Sequence, residues 1–384
     1  MLNCFVTGMG FWSSLGSLAK SWENLLAGES GIRLHQPFLE LSPRPLGLID
    51  PTPAQFSNLT QQVVAAALKD AGLVAPLPDC GVVVGSSRGC QGGGEKLTRG
   101  RGEVGTRGKK GWLETLPNQG AIAAAHQIGT TAPVLAPMAA CATGIWAIAQ
   151  GLQLIQTGQC RRVIAGAVEA PITPLTLAGF QKMGALAKTG CYPFDRHREG
   201  LVLGEGAAVV VLESADSALS RGVPIYGQLL GLGFTCDAYH LSAPHPEGHG
   251  AIAAVKQCLN RSHLCPTDID YIHAHGTSTK LNDCTEAQLI QELFPQGVPV
   301  SSTKGATGHT LGASGAIGAA FCLMAFQHQV LPPCVGLTEP AFDLDFVTSP
   351  RHTKVKHALC FSFGFGGQNG VIALRQWNSN TKYL

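Results

Sequence analysis

The chain reads as an α/β protein, and three observations carry that reading. Short apolar runs rich in β-branched residues, such as Val82-Val83-Val84 and Ala207-Ala208-Val209-Val210-Val211-Leu212, have the length and composition of strands buried on both faces. Longer alanine-rich stretches at 120–128 and 315–326 suit buried helices. The two kinds of segment alternate, as they do where helices layer against sheets. With 384 residues the chain can form two core-bearing halves. Only 14% of residues are charged and 48 are glycine, the composition of a heavily buried globular protein and not of a disordered one. A boundary is expected at 214–223, after the strand ending in Leu212-Glu213, dividing the chain into 1–214 and 215–384. No internal repeat is visible by eye.

Several function classes are excluded early. The first twenty residues lack the basic start and clean apolar run of a signal, and no segment is read as reaching a membrane span, so no membrane association is expected. The 13 cysteines are scattered without a CxxC pair and read as reduced thiols of a cytoplasmic protein. A net charge of +2 makes no case for nucleic acid. The local distribution says more. From Arg88 to Lys110 seven basic residues face Glu95 and Glu103, interrupted by glycines, and read as a flexible basic surface loop without the aromatic interleaving of an RNA site.

Cys141 is the first candidate nucleophile. It sits in Pro137-Met138-Ala139-Ala140-Cys141-Ala142-Thr143-Gly144, before the helical apolar stretch Ile145-Trp146-Ala147-Ile148-Ala149. Small flanking residues leave the sulfur reachable, and the positive end of a helix dipole favours thiolate over thiol. A lone cysteine among apolar residues more often fills a core, but two histidine loops shift the balance. They are Ile272-His273-Ala274-His275-Gly276-Thr277-Ser278-Thr279 and Ser302-Thr303-Lys304-Gly305-Ala306-Thr307-Gly308-His309-Thr310-Leu311-Gly312. Glycine and hydroxyl residues around each imidazole mark tight loops where backbone meets ligand.

These strings, with Phe5-Val6-Thr7-Gly8-Met9-Gly10, the run from Trp22 to Ile32, Glu169-Ala170-Pro171, Pro193-Phe194-Asp195-Arg196, Gly204-Glu205-Gly206-Ala207 and Phe361-Ser362-Phe363-Gly364-Phe365-Gly366-Gly367-Gln368-Asn369-Gly370, occur in one order. The chain thereby resembles, nearly end to end, the β-ketoacyl-acyl-carrier-protein synthases, the elongating Cys-His-His ketosynthases of the thiolase superfamily. The resemblance implies a thiolase-like five-layer α-β-α-β-α fold of two similar halves, with the nucleophile in the first and both catalytic histidines in the second. It implies that Cys141 takes an acyl chain from a phosphopantetheine thioester. His275 and His309 would hold the thioester oxygen of a malonyl group as CO₂ leaves, where aimed donors are worth most. A second oxyanion would meet the backbone N–H groups of Cys141 and Phe365. Lys304 would hold its loop and tune charge. Phe365 would gate the acyl pocket, Thr277 and Thr279 would bind the phosphopantetheine arm, and Phe194 would line the pocket. Phe234 is read as core only.

The family implies no cofactor beyond the phosphopantetheine of its substrate, and it implies acyl carrier protein as partner. Arg107, Lys109, Lys110 and Arg198 are the candidate carrier-docking cations. It also implies a homodimer, or a heterodimer with a ketosynthase-like chain-length-factor subunit. His273 is read as structural, and His240, His245 and His249 as forming no metal set. One departure stands out: where elongating members carry glutamate nine residues after the second histidine, this chain has Gly318. That, and a short segment between Gly85 and Cys141, turns the reading toward a polyketide-like synthase. The alternatives are a chain-length-factor-like subunit, against which the presence of Cys141, His275 and His309 speaks, and a cysteine hydrolase, which leaves the Gly-Thr-Ser-Thr and Gly-Phe-Gly-Gly strings unexplained.

Overall fold

The computed structural model describes residues 3–99 and 112–378. Ten strands form the main sheet: β1 (Cys4–Ser13), β2 (Cys80–Gly85), β3 (Val134–Leu135), β4 (Arg162–Glu169), β5 (Gly206–Ser214), β6 (Gly227–Cys236), β7 (Tyr271–His273), β8 (Val300–Ser301), β9 (His357–Gly364) and β10 (Gln368–Arg375). A two-residue strand, Gly16–Ser17, folds back on β1. The spatial order is β8-β7-β9-β10-β6-β1-β5-β4-β2-β3. In the first half β1 pairs antiparallel with β5, β5 antiparallel with β4, and β2 parallel with both β4 and β3. In the second half β6, β10, β9, β7 and β8 repeat that succession and those directions. The halves are therefore duplicates in topology, joined where β1 pairs with the start of β6 at Cys4–Leu229 and Val6–Gly227.

The helices repeat as well. In the first half they are α1 (Phe56–Asp70), α2 (Gln119–Ile128) and α3 (Thr143–Gln156), with α4 (Pro174–Lys182) inserted before β5. In the second they are α5 (His249–Ser262), α6 (Lys280–Leu293) and α7 (Ser314–His328). α1 lies on β1 and β5, α5 on β6 and β10, and α3 meets α7 between the two half-sheets, giving five layers. One glycine in each half permits the outer helix to sit directly on its strand. A Cβ at Gly10 would lie 1.8 Å from the Val63 carbonyl oxygen, and one at Gly233 would lie 1.7 Å from that of Ala254. Each glycine is the seventh residue of its strand, so the duplication that no sequence repeat announces survives in its sterics.

Two expectations are corrected. The segment Leu311–His328 is long and apolar enough to span a membrane by length and composition, although none was expected. Its hydropathy has a local cause, since 89% of it is buried inside the protein. The basic segment after Arg88 is not loop throughout, because Gln91–Arg99 is helical.

Candidate active site

The layer between the half-sheets sets the site. α3 and α7 begin side by side, and glycine makes that possible: a Cβ on Gly144 would stand 2.6 Å from the Ala316 nitrogen, and one on Gly315 would stand 2.6 Å from Ile145 Cγ1. Cys141 precedes the start of α3, and His309 precedes the short turn Leu311–Ala313 that leads into α7. The crossing thus brings together side chains 168 positions apart. His275 enters from the loop after β7. Ligand atoms of Cys141, His275 and His309 all lie within 4.8 Å of one another. All three line a cavity of about 590 Å³, with Thr277, Thr279 and Phe365 on its walls.

Hydrogen bonds set the state of both imidazoles. His309 Nδ1 lies 3.2 Å from the Leu311 backbone N–H, which can only donate, and 2.9 Å from Ser314 Oγ. His275 Nδ1 lies 3.4 Å from the Lys304 ammonium, also a donor only. Both Nδ1 atoms therefore accept, and each neutral ring carries its proton on Nε2. Burial pushes both histidines well below their usual pKa, and the Lys304 charge adds to it. Lys304 is buried, with its ammonium on the His275 carbonyl. Burial lowers its pKa, and the Glu286 carboxylate opposes that.

Cys141 departs from expectation. Burial pushes its thiol up to about 11, although the Lys304 charge and the Phe365 backbone N–H both act to lower it. Desolvation outweighs the favourable charges, so the resting nucleophile is a thiol. Phe365 opens a turn in which Gly366 and Gly367 take φ of +76° and +73°. That turn is tied to another loop, with the Gly366 N–H 2.8 Å from the Leu241 oxygen and the Asp237 N–H 2.9 Å from the Gly367 oxygen.

Two acids that sequence reasoning did not name hold the His275 loop. Glu286 accepts the backbone N–H groups of His275 and Gly276 at 2.6 and 2.7 Å, and Asp283 accepts that of Thr277 at 3.0 Å. Burial pushes Glu286 up to about 7 and Asp283 up to about 6, against those hydrogen bonds. Their spacing of three on α6 puts both on one face beneath the loop, a signal that was present in the sequence.

Other assignments change. Thr277 and Thr279 do line the cavity and hydrogen-bond each other at 2.8 Å. Phe194 does not: it is fully buried at φ +63° in the core of the second half, 5.2 Å from Phe346. Arg198 is turned inward, its side chain 12% exposed, bonding the Asp195 carbonyl at 2.8 Å and lying over the Phe342 ring. It is spent on internal contacts and presents little charge to a partner. Arg107, Lys109 and Lys110 lie outside the described residues. Phe234 is half-buried against Trp146, with ring centroids 4.1 Å apart. His245 and His249, read as no metal set, do converge with Glu247 within 4.8 Å, and Glu247 pairs with His249 at 3.1 Å.

Gly318 has a physical explanation. A Cβ there would lie 2.7 Å from Cys360 Sγ, His273 Cε1 and His273 Nδ1. His273, held by Thr303 Oγ1 at 3.1 Å, fills the space that a larger residue at 318 would need.

Comparison with known proteins agrees with this geometry. Models of the β-ketoacyl synthase N-terminal and C-terminal domains match residues 34–218 and 226–338. The chain is 33% identical over 409 residues to a 3-oxoacyl-[acyl-carrier-protein] synthase 2 of Staphylococcus aureus, covering 97% of this chain and 98% of that protein. It is 42% identical over 265 residues to the protein of that name from Synechocystis sp., where the match spans 66% of this chain and 64% of the relative. Among solved structures, a type II polyketide ketosynthase in complex with its acyl-carrier protein superposes with TM-score 0.91 at 26% identity, over 98% of this chain and all of that one. A β-ketoacyl synthase from Burkholderia phymatum gives 0.90 at 27%, with the same coverage.

Proposed function

This chain belongs to the β-ketoacyl synthase family, and from that premise we propose that it joins an acyl group on Cys141 to malonyl-acyl-carrier protein, releasing CO₂ and 3-oxoacyl-carrier protein. One observation carries the reading: two neutral imidazoles with Nε2 protons face the same cavity as a buried thiol. In the loading step Cys141 Sγ attacks the acyl thioester and the C–S bond to pantetheine breaks. The thiol proton leaves on the pantetheine sulfur, so no free thiolate need persist at rest, in keeping with the raised pKa. The Phe365 N–H meets the developing oxyanion. In the second step the C–CO₂⁻ bond of malonyl breaks and its electron pair becomes an enolate. The Nε2–H groups of His275 and His309 donate to that oxygen as its charge develops. The enolate carbon attacks the acyl-Cys141 carbonyl, the C–S bond to Cys141 breaks, and the released thiolate takes its proton from solvent water. Lys304 holds His275 by its carbonyl and keeps its Nδ1 occupied, so the Nε2 proton points to substrate. Thr277 and Thr279 bind the pantetheine arm at the cavity wall.

The partner is an acyl carrier protein, and the protein works in the cytoplasm. The neighbours favour a paired assembly: one was solved as a ketosynthase with its chain length factor, at TM-score 0.90 and 27% identity. Edge strand β3 leaves Val134 and Leu135 exposed beside Met138, an apolar strip suited to a second ketosynthase-like subunit. Single-turnover condensation, followed by mass spectrometry of both enzyme and carrier, tests the proposal. An acyl group on Cys141 followed by a 3-oxoacyl product supports it. No acylation from several carriers would move the reading to a non-catalytic, chain-length-factor-like subunit.

A further inference from the structure

Arg88 lies against the apolar cluster around the nucleophile, over one of its aromatic rings. Cys141 belongs to an apolar cluster with Ile172, Leu177, Phe180 and Leu311, and Phe365 packs against it. Phe365 stacks on Phe180 with ring centroids 5.9 Å apart, and the Arg88 guanidinium carbon lies 5.5 Å from the centre of the Phe180 ring. A line of contacts thus runs from the Phe365 turn beside the nucleophile to a cation. The residues after Arg88, Gly89 and Cys90, line a separate cavity of about 550 Å³. Ile172 lines it too while belonging to the Cys141 cluster, so this cavity lies against the side of the cluster away from the active-site cavity, next to the turn that carries Arg88.

The guanidinium is held but not satisfied. The Ser86 hydroxyl accepts the Arg88 and Gly89 backbone N–H groups at 3.3 and 2.8 Å, which fixes the turn that carries the side chain. Among the described residues the side chain itself makes no hydrogen bond and no ion pair. The nearby buried Glu169 points one oxygen at Ser87 and leaves the other unpartnered, yet the two do not pair. A guanidinium lying on an aromatic ring uses its face and leaves its in-plane N–H donors free. An alkyl chain passing it would strip its water and return no acceptor. A ketone or carboxylate oxygen would accept a charge-assisted bond.

Resting on the condensing reaction above, we propose that Arg88 is a specificity-determining residue which selects acyl groups bearing an oxygen along the chain over plain alkyl groups. The enzyme would then follow a reaction that leaves such an oxygen unreduced.

The test is the rate of Cys141 acylation from pantetheine thioesters of hexanoate, 3-oxohexanoate and 5-oxohexanoate, read by intact-protein mass spectrometry on the full chain and on two variants. The wild type is expected to load the better oxo chain at least about tenfold faster than hexanoyl, the scale of a charged hydrogen bond. Arg88→Leu should lose that preference while loading hexanoyl as fast or faster, which also shows that the variant is folded. Arg88→Lys should fall between. Equal loading of hexanoyl by the wild type, or a uniform loss on all three thioesters in Arg88→Leu, overturns the proposal. So does a defect seen only with carrier-bound thioesters, which would place Arg88 in carrier docking. Acylation by none of the three would instead remove the ketosynthase reading itself, and this inference with it.

Discussion

The glycine at 318 makes a quantitative claim about the packing behind the histidines. Gly318→Ala adds one methyl carbon 2.7 Å from three atoms, Cys360 Sγ and His273 Cε1 and Nδ1. Carbon contacts are at rest near 3.5–4.0 Å, so His273 or α7 must give way by about 1 Å. Neither is free to move, since α7 is buried through almost its whole length and His273 is held by Thr303. Overpacking of this kind costs about 1–3 kcal/mol. His273→Ala alone loses the ring's packing and its bond, about 2–4 kcal/mol. It also empties the space that the methyl needs. The double variant is therefore expected to be less destabilised than the sum of the singles by about 1–2 kcal/mol. Urea unfolding followed by circular dichroism, at one protein concentration for all four proteins, measures the cycle. Gly318→Ala within about 0.5 kcal/mol of wild type, or strictly additive singles, would refute the claim that His273 and Gly318 are a matched pair. By the same reasoning Gly318→Glu is expected to fail to fold beside His273 and to be partly rescued by His273→Ala.

Removing either catalytic imidazole, His275→Ala or His309→Ala, should slow release of labelled CO₂ from malonyl-carrier protein by about 10²–10³-fold while Cys141 still loads acyl groups. Equal loss of both steps would count against separate roles. Because burial pushes Cys141 up to about 11, its alkylation by iodoacetamide should keep accelerating with pH from 7 to 10, since thiolate is the reactive form; a plateau below pH 8 contradicts this. Lys304→Ala frees His275 Nδ1 to change tautomer and should depress decarboxylation more than loading, with Lys304→Arg failing to rescue if the tight fit to the His275 carbonyl matters. Glu286 is pushed up to about 7 in the folded protein, above its unfolded value, so its contribution to stability is present below about pH 4.5 and lost as pH rises through 7. Glu286→Gln should therefore gain stability relative to wild type between pH 5 and pH 8, by a few kcal/mol at most, less whatever its two backbone bonds lose; a flat difference across that range refutes the shift.

Local sequence determined a good deal. The strings around Cys141, His275 and His309 set tight turns by their small and hydroxyl residues, and those turns are what the structure contains. The valine runs at 82–84 and 207–212 became central strands, and the alanine-rich stretches became helices. Tertiary structure decided the rest, because burial and charge at a side chain depend on neighbours far away in sequence. Phe194 and Arg198 sit in motifs that read as functional, yet packing against Phe342 and Phe346 turned both inward. The helix start predicted a stabilised thiolate at Cys141, and burial among residues from distant parts of the chain overrode it. The protons on Nε2 of both histidines were set by Lys304, Leu311 and Ser314, partners that only the folded backbone could aim. The duplication, too, resides in strand order and in the contacts of Gly10 and Gly233. A hydrogen-bonded backbone tolerates many side chains and keeps its topology after its sequence repeat has faded.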